Sequence, residues 1–152
     1  MSWGRRRPCL IDSNILVYMH DYREPELQKS ALLTYEHLFS QGRIVLSAQC
    51  LTEFINVATR KVSPPLSIDD AAIQLDQFVR SAVIYPVDAD VVTEAARAMA
   101  AHQMSLWDAL IWAVAFRNHV PTIVTQDAQS REIIEGVRYV SPFDPDFDIE
   151  SL

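Results

Sequence analysis

Glycine is scarce in this chain, with only 3 among 152 residues. That excludes a Gly-rich phosphate loop, and neither GxGxxG nor GxxxxGK[ST] occurs. Cysteine is rarer still. The 2 Cys, Cys9 and Cys50, both lie in apolar stretches. They read as buried thiols in a reducing compartment, which excludes a disulfide framework and a zinc site. The 4 His (His20, His37, His102, His119) have no ligand spacing. No apolar run is long enough to span a membrane. Arg5-Arg6-Arg7 precedes apolar residues as in a signal peptide, but Asp12 interrupts that run and no small-residue cleavage site follows. The expectation is a cytoplasmic protein with no membrane partner. The net charge of -7 excludes indiscriminate nucleic-acid binding by a basic surface. It leaves room for a nuclease, whose clustered carboxylates are neutralised locally by metal.

What is present is an ordinary globular composition, 49% hydrophobic and 22% charged. The length fits one domain with a real core. Short β-rich runs alternate with longer amphipathic segments, and no repeat or linker interrupts them. Strands are expected at Cys9-Leu10-Ile11, Arg43 to Leu46, Ala82 to Tyr85, Thr122 to Thr125 and Val137 to Val140. Helices are expected over 13–20, 26–40, 47–61, 67–80, 88–101, 105–118 and 128–135. Ser47, Ser67, Asp88 and Ser105 supply N-caps, and Gly42 and Gly136 supply stops. The Pro- and Asp-rich tail from Pro142 to Leu152 is expected at the surface. Strands alternating with helices imply a parallel α/β sheet with right-handed crossovers.

Four acids stand out against this pattern. Asp12 ends the first strand, Glu53 interrupts the apolar stripe of a helix, Asp108 opens a helix, and Asp127 follows the fourth strand. Helix starts and strand carboxyl ends face one edge of an open α/β sheet, where ligands bind. Carboxylates there are costly unless their charge is compensated. A hard divalent cation with oxygen ligands is the simplest compensator, and it points to chemistry on a phosphate-bearing substrate. Each acid also has a plainer role. Asp12 and Asp127 can cap the helices that follow them. Ser105 and Asp108 can form a capping box. Glu53 can pair with an arginine in the core. Four acids on four elements at one sheet edge are harder to obtain by capping alone.

The segments that carry these acids resemble a known family. Leu10-Ile11-Asp12-Ser13-Asn14-Ile15-Leu16 looks like the opening motif of PIN-domain ribonucleases. Thr52-Glu53-Phe54 looks like the second acidic motif, Leu106 to Ile111 around Asp108 like the third, and Val124-Thr125-Gln126-Asp127 like the last. The ordered set of four is specific where no single motif is. Size and character are most similar to the VapC-type toxins of toxin–antitoxin pairs. The resemblance implies a three-layer α/β/α fold with a five-stranded parallel sheet, as one PIN-like domain over 1–152 with its core at about 8–143 and an acidic tail at 144–152. It implies catalytic, metal-coordinating roles for Asp12, Glu53, Asp108 and Asp127, and orienting roles for Ser13, Asn14 and Thr125.

The function this implies is endoribonuclease activity dependent on Mg2+ or Mn2+, with an RNA substrate, a cognate antitoxin and a homodimeric state. The antitoxin's tail would lie by helices 13–20, 26–40 and 47–61, although Tyr18, Leu32, Tyr35 and Phe39 read first as core. Two alternatives stay open: a non-catalytic PIN-like module that binds RNA or protein, and a structure-specific DNA nuclease. A phosphatase with an Asp nucleophile fits poorly, because Asn14 stands where its second Asp belongs.

Overall fold

The computed structural model describes residues 6–127 and 132–152. In chain order the elements are β1 (Cys9–Ile11), α1 (Ser13–Tyr18), α2 (Pro25–Ser40), β2 (Ile44–Ser47), α3 (Ala48–Ala58), α4 (Ile68–Ser81), β3 (Val83–Tyr85), α5 (Ala89–His102), α6 (Leu106–Arg117), β4 (Thr122–Val124), β5 (Ile133–Ile134) and β6 (Val137–Val140). A 3-10 turn, Ile149–Ser151, follows. The helix starts are set by local chemistry. Ser47, Ser67, Asp88 and Ser105 each accept a hydrogen bond from the backbone amide three residues on, at 2.9 to 3.2 Å. These bonds satisfy amides that have no partner inside the helix.

The sheet order is β3-β2-β1-β4-β6-β5. The first five of these pair in parallel. Strand alternation sorts the core into two layers. Leu10, Val45 and Ile123 face α5 and α6, where they meet Ala109, Trp112 and Ala113. Cys9, Ile11, Ile44, Leu46 and Val124 face the other way, onto Ile15, Leu38, Phe54 and Phe78. The result is the expected α/β/α sandwich. Each such fully buried apolar side chain contributes roughly 1.5–3 kcal/mol. Both Cys9 and Cys50 are free and buried, as their apolar settings indicate.

Four expectations are corrected. The sheet has a sixth strand among the described residues, because Ile133–Ile134 pairs antiparallel with β6. The helix expected over 128–135 falls partly outside the described residues, and its described end is this strand. Glu135 and Gly136 both have positive φ, 47° and 86°, the conformation of a tight two-residue hairpin turn. Gly136 therefore closes a hairpin, not a helix. The tail is also less peripheral than its composition implies. Ser141 and Pro142 are buried, and Phe143 packs edge-on against Tyr18 with ring centroids 5.2 Å apart. Arg138 Nη2 donates to Ser151 O at 3.0 Å. Of the four residues read first as core, Phe39 is instead 53% exposed.

Candidate active site

β1 lies between β2 and β4, and the chain leaves it in one direction for β2 and β3 and returns on its other side as β4. That reversal makes the carboxyl ends of β1 and β4 the topological switch point of the sheet. Asp12 and Thr125 are the residues immediately beyond those two ends. The Asp12 amide donates to Val124 O at 2.9 Å, and the Thr125 amide to Val140 O at 2.9 Å. Both side chains are thereby fixed on ordered backbone.

Asp12 is held through both carboxylate oxygens. Oδ1 accepts from the Ser13 amide at 2.7 Å, so Asp12 does cap α1. Oδ2 accepts from the Thr125 hydroxyl at 2.8 Å. The capping role and a functional one are compatible, since the second oxygen is turned toward β4. Thr125 Oγ1 accepts in turn from Asn14 Nδ2 at 3.1 Å and the Asp127 amide at 3.3 Å. Asn14 Oδ1 accepts from the Gln126 amide at 3.2 Å. One small network thus ties the loop after β4 to the start of α1.

Glu53 is reached from α3. Its Oε2 accepts from the Ser13 hydroxyl at 2.5 Å and its Oε1 from Gln49 Nε2 at 2.8 Å. Among the described residues it has no arginine or lysine ion pair, so the core salt bridge weighed for it is not formed. Asp108 sits in the first turn of α6, where its amide donates to Ser105 Oγ at 3.2 Å. That is one half of a capping box; its carboxylate is exposed.

Asp12, Asp108 and Asp127 line a single cavity of about 260 Å³, together with Thr125 and Ser105. Neither Glu53 nor Ser13, which donates to it, lines the cavity. Among the described residues no three Asp, Glu, His or Cys side chains form a ready-made metal cage. The electrostatics nonetheless ask for a cation. Burial pushes the Asp12 carboxyl up to about 6; the Thr125 hydroxyl and Ser13 amide oppose this, while the negative charges of Glu53 and Asp108 add to it. An all-oxygen donor set around an underpaid negative charge fits a hard divalent cation.

The sequence matches the family profile of the PIN domain over residues 9–135. The chain belongs to the PIN domain family. Among curated proteins none matches the sequence. Solved structures similar in fold include a toxin–antitoxin complex from Klebsiella pneumoniae, at 18% identity and TM-score 0.67 over 90% of this chain and 98% of that one. VapBC2 from Rickettsia felis, bound to a DNA fragment from its promoter, is 19% identical with TM-score 0.64, over 88% of this chain and 97% of that one. VapC20 from Mycobacterium tuberculosis, a Sarcin-Ricin loop cleaving toxin, is 16% identical with TM-score 0.58, over 86% and 98%. At these identities the likeness is one of fold.

The cavity of this PIN domain also includes residues that sequence reading passed over. His102, Glu132 and Tyr139 line it. His102 ends α5 and its Nε2 lies 2.9 Å from Glu135 Oε2 in the β5–β6 turn. Arg97 Nη2 donates to the same oxygen at 3.0 Å. Hydrogen bonds from His102 and then Arg97 hold the Glu135 carboxyl below its usual range. The nearness of His102 to Ser105 and Asp108 in the chain was an available clue. Glu132 and Tyr139 had none, because only the hairpin brings them to the cavity. Among the described residues no helix is long and apolar enough to cross a membrane.

Proposed function

We propose that this PIN domain is a divalent-metal-dependent endoribonuclease that acts as the toxin of a VapBC-type pair. The observation that carries the reading is Asp12: a half-buried carboxylate at the switch point, held by Thr125 and Ser13, sharing a cavity with Asp108 and Asp127. Asp12, Asp108 and Asp127 would hold Mg2+ or Mn2+, with Glu53 joining directly or through water. The ion, when bound, supplies positive charge to a phosphodiester and acidifies water. The chain's own part is positioning. Thr125 fixes the rotamer of Asp12, Asn14 fixes Thr125, and Ser13 aims Glu53 at the same edge. Such orienting contacts are worth about 10- to 100-fold in metal affinity or activity.

The toxin assignment is supported by the solved structures of similar fold, several of which are toxin–antitoxin complexes. An antitoxin partner, an RNA substrate, a homodimer and a cytoplasmic site belong to the same proposal. The test is cleavage of RNA and of matched DNA by wild type and Asp12→Asn, each with magnesium, manganese or a chelator. The expected result is RNA cleavage by wild type alone, only with metal, with Asp12→Asn slower by roughly 10²- to 10³-fold. Equal cleavage by both proteins would sink the assignment of Asp12. Preferential DNA cleavage would select a DNA nuclease, and RNA binding without cleavage would select a binding module.

A further inference from the structure

One wall of the acidic cavity carries a group that the proposed reaction has not used. Tyr139 lies on β6 in register with Ile123 of β4, and it lines the cavity with Asp12, Asp108 and Asp127. Its hydroxyl oxygen is buried and has no hydrogen-bond partner. Buried tyrosine hydroxyls ordinarily find one. Two of the cavity's other donors are committed: the Thr125 hydroxyl to Asp12 and His102 Nε2 to Glu135. Among the described residues that line the cavity, Tyr139 has the one buried side-chain polar group left unpaired.

Its chemistry suits an anionic ligand in an acidic setting. Burial, then the negative charges of Asp108, Glu132 and Asp12, keep the phenol well above its ordinary titration range. It is therefore a neutral donor at physiological pH. A lysine in its place would ion-pair with the aspartates; a phenol leaves them free. Phosphate oxygens are strong acceptors, and a bond to one is charge-assisted. The hydroxyl's desolvation is already incurred in the free protein, so the donor is preorganised.

We propose that the Tyr139 hydroxyl donates to a non-bridging oxygen of the phosphodiester bound in this cavity, which makes Tyr139 a further catalytic residue. The inference rests on the nuclease reading and names a contact within the same site. It has a signature that a structural role would not produce. Tyr139→Phe removes an unpaired buried hydroxyl and no formed bond, so the free protein should be as stable as wild type or more so.

The experiment compares wild type, Tyr139→Phe and Asp12→Asn in single-turnover cleavage of bacterial total RNA with manganese at saturating enzyme. A second arm measures anisotropy of a short fluorescein-labelled single-stranded RNA of mixed sequence. It compares Asp12→Asn with Asp12→Asn/Tyr139→Phe. A third arm measures melting temperature. The expected result is a rate loss of roughly ten- to hundredfold for Tyr139→Phe, weaker RNA binding in the double variant, and an equal or higher melting temperature. Wild-type cleavage and unchanged binding would overturn the proposal. So would a lowered melting temperature that accounts for the loss. If wild type itself cleaves nothing, the nuclease reading fails, and the binding arm still decides Tyr139: unchanged binding overturns it.

Discussion

Asp12 and Asp21 flank the same short helix, and the protein treats their charges in opposite ways. Asp21 is 5% exposed and meets Arg23 in a two-pronged pair, Nε to Oδ1 at 3.0 Å and Nη2 to Oδ2 at 2.8 Å. The Arg23 hydrogen bond draws the Asp21 carboxyl down to about 2. Arg23 Nη2 also donates to Lys61 O at 2.6 Å, so the pair fastens the loop after α1 to the turn that follows α3. Asp12 has a hydroxyl, an amide and two neighbouring acids, and burial carries it up to about 6. One aspartate is neutralised from within the chain and contributes to stability. The other is left uncompensated at the sheet's binding edge, which makes sense where an outside cation completes the account.

The largest way to sharpen that contrast is to loosen Asp12 without removing it. Thr125→Val deletes the hydroxyl that donates to Asp12 Oδ2 and accepts from Asn14. Cleavage is expected to fall by about 10- to 100-fold with the fold intact. Wild-type activity in this variant would show that the Thr125 contact does not position Asp12.

A smaller effect, on stability alone, comes from breaking the compensated pair. Arg23→Ala leaves Asp21 buried without its partner. Because Arg23 is 58% exposed, solvent screens the pair, and the melting temperature is expected to fall only modestly. Cleavage by the folded variant should be unchanged. Asp21's depressed pKa means that its stabilisation is present above its unfolded value near 4 and is lost as pH falls through about 2. The gap between wild type and Arg23→Ala should therefore close below pH 4 in urea melts. A gap that is constant down to pH 2 would contradict the pairing.

Asp12 gives the opposite sign. Its folded pKa lies above its unfolded value, so stability is lost as pH rises from about 4 through about 6. Without metal, Asp12→Asn should be more stable than wild type by about 1 kcal/mol above pH 7, after allowance for the weakened contact to Thr125. The two should converge near pH 4. An Asp12→Asn protein less stable than wild type throughout would mean that the carboxylate is a structural cap only.

The same contrast explains what could be read from the sequence. Caps and strands are local, so Ser47, Ser67, Asp88 and Ser105 announced their helices, and short β-rich runs alternating with amphipathic segments announced a parallel α/β sheet. The β5–β6 hairpin was misread because an apolar pair followed by Gly136 fits a helix end and a tight turn equally well. Acids at element ends were visible because the rule for α/β sheets converts chain position into a place in space. The partners that decide their chemistry are distant in sequence: Thr125 for Asp12, Ser13 for Glu53, and Arg97 for Glu135. Tyr139 was hidden for the same reason, since nothing local marks a strand residue whose hydroxyl ends among carboxylates.

The most direct measurement is the melting temperature of metal-free protein at pH 7.5 as manganese is added, for wild type beside Asp12→Asn. A cation that binds only the folded state at about a hundred times its dissociation constant adds about 2.7 kcal/mol, which is about 5 to 11 °C here. The account predicts such a rise in wild type and little or none in Asp12→Asn. Equal rises in both, or none in either at millimolar manganese, would contradict the claim that Asp12 awaits a divalent cation.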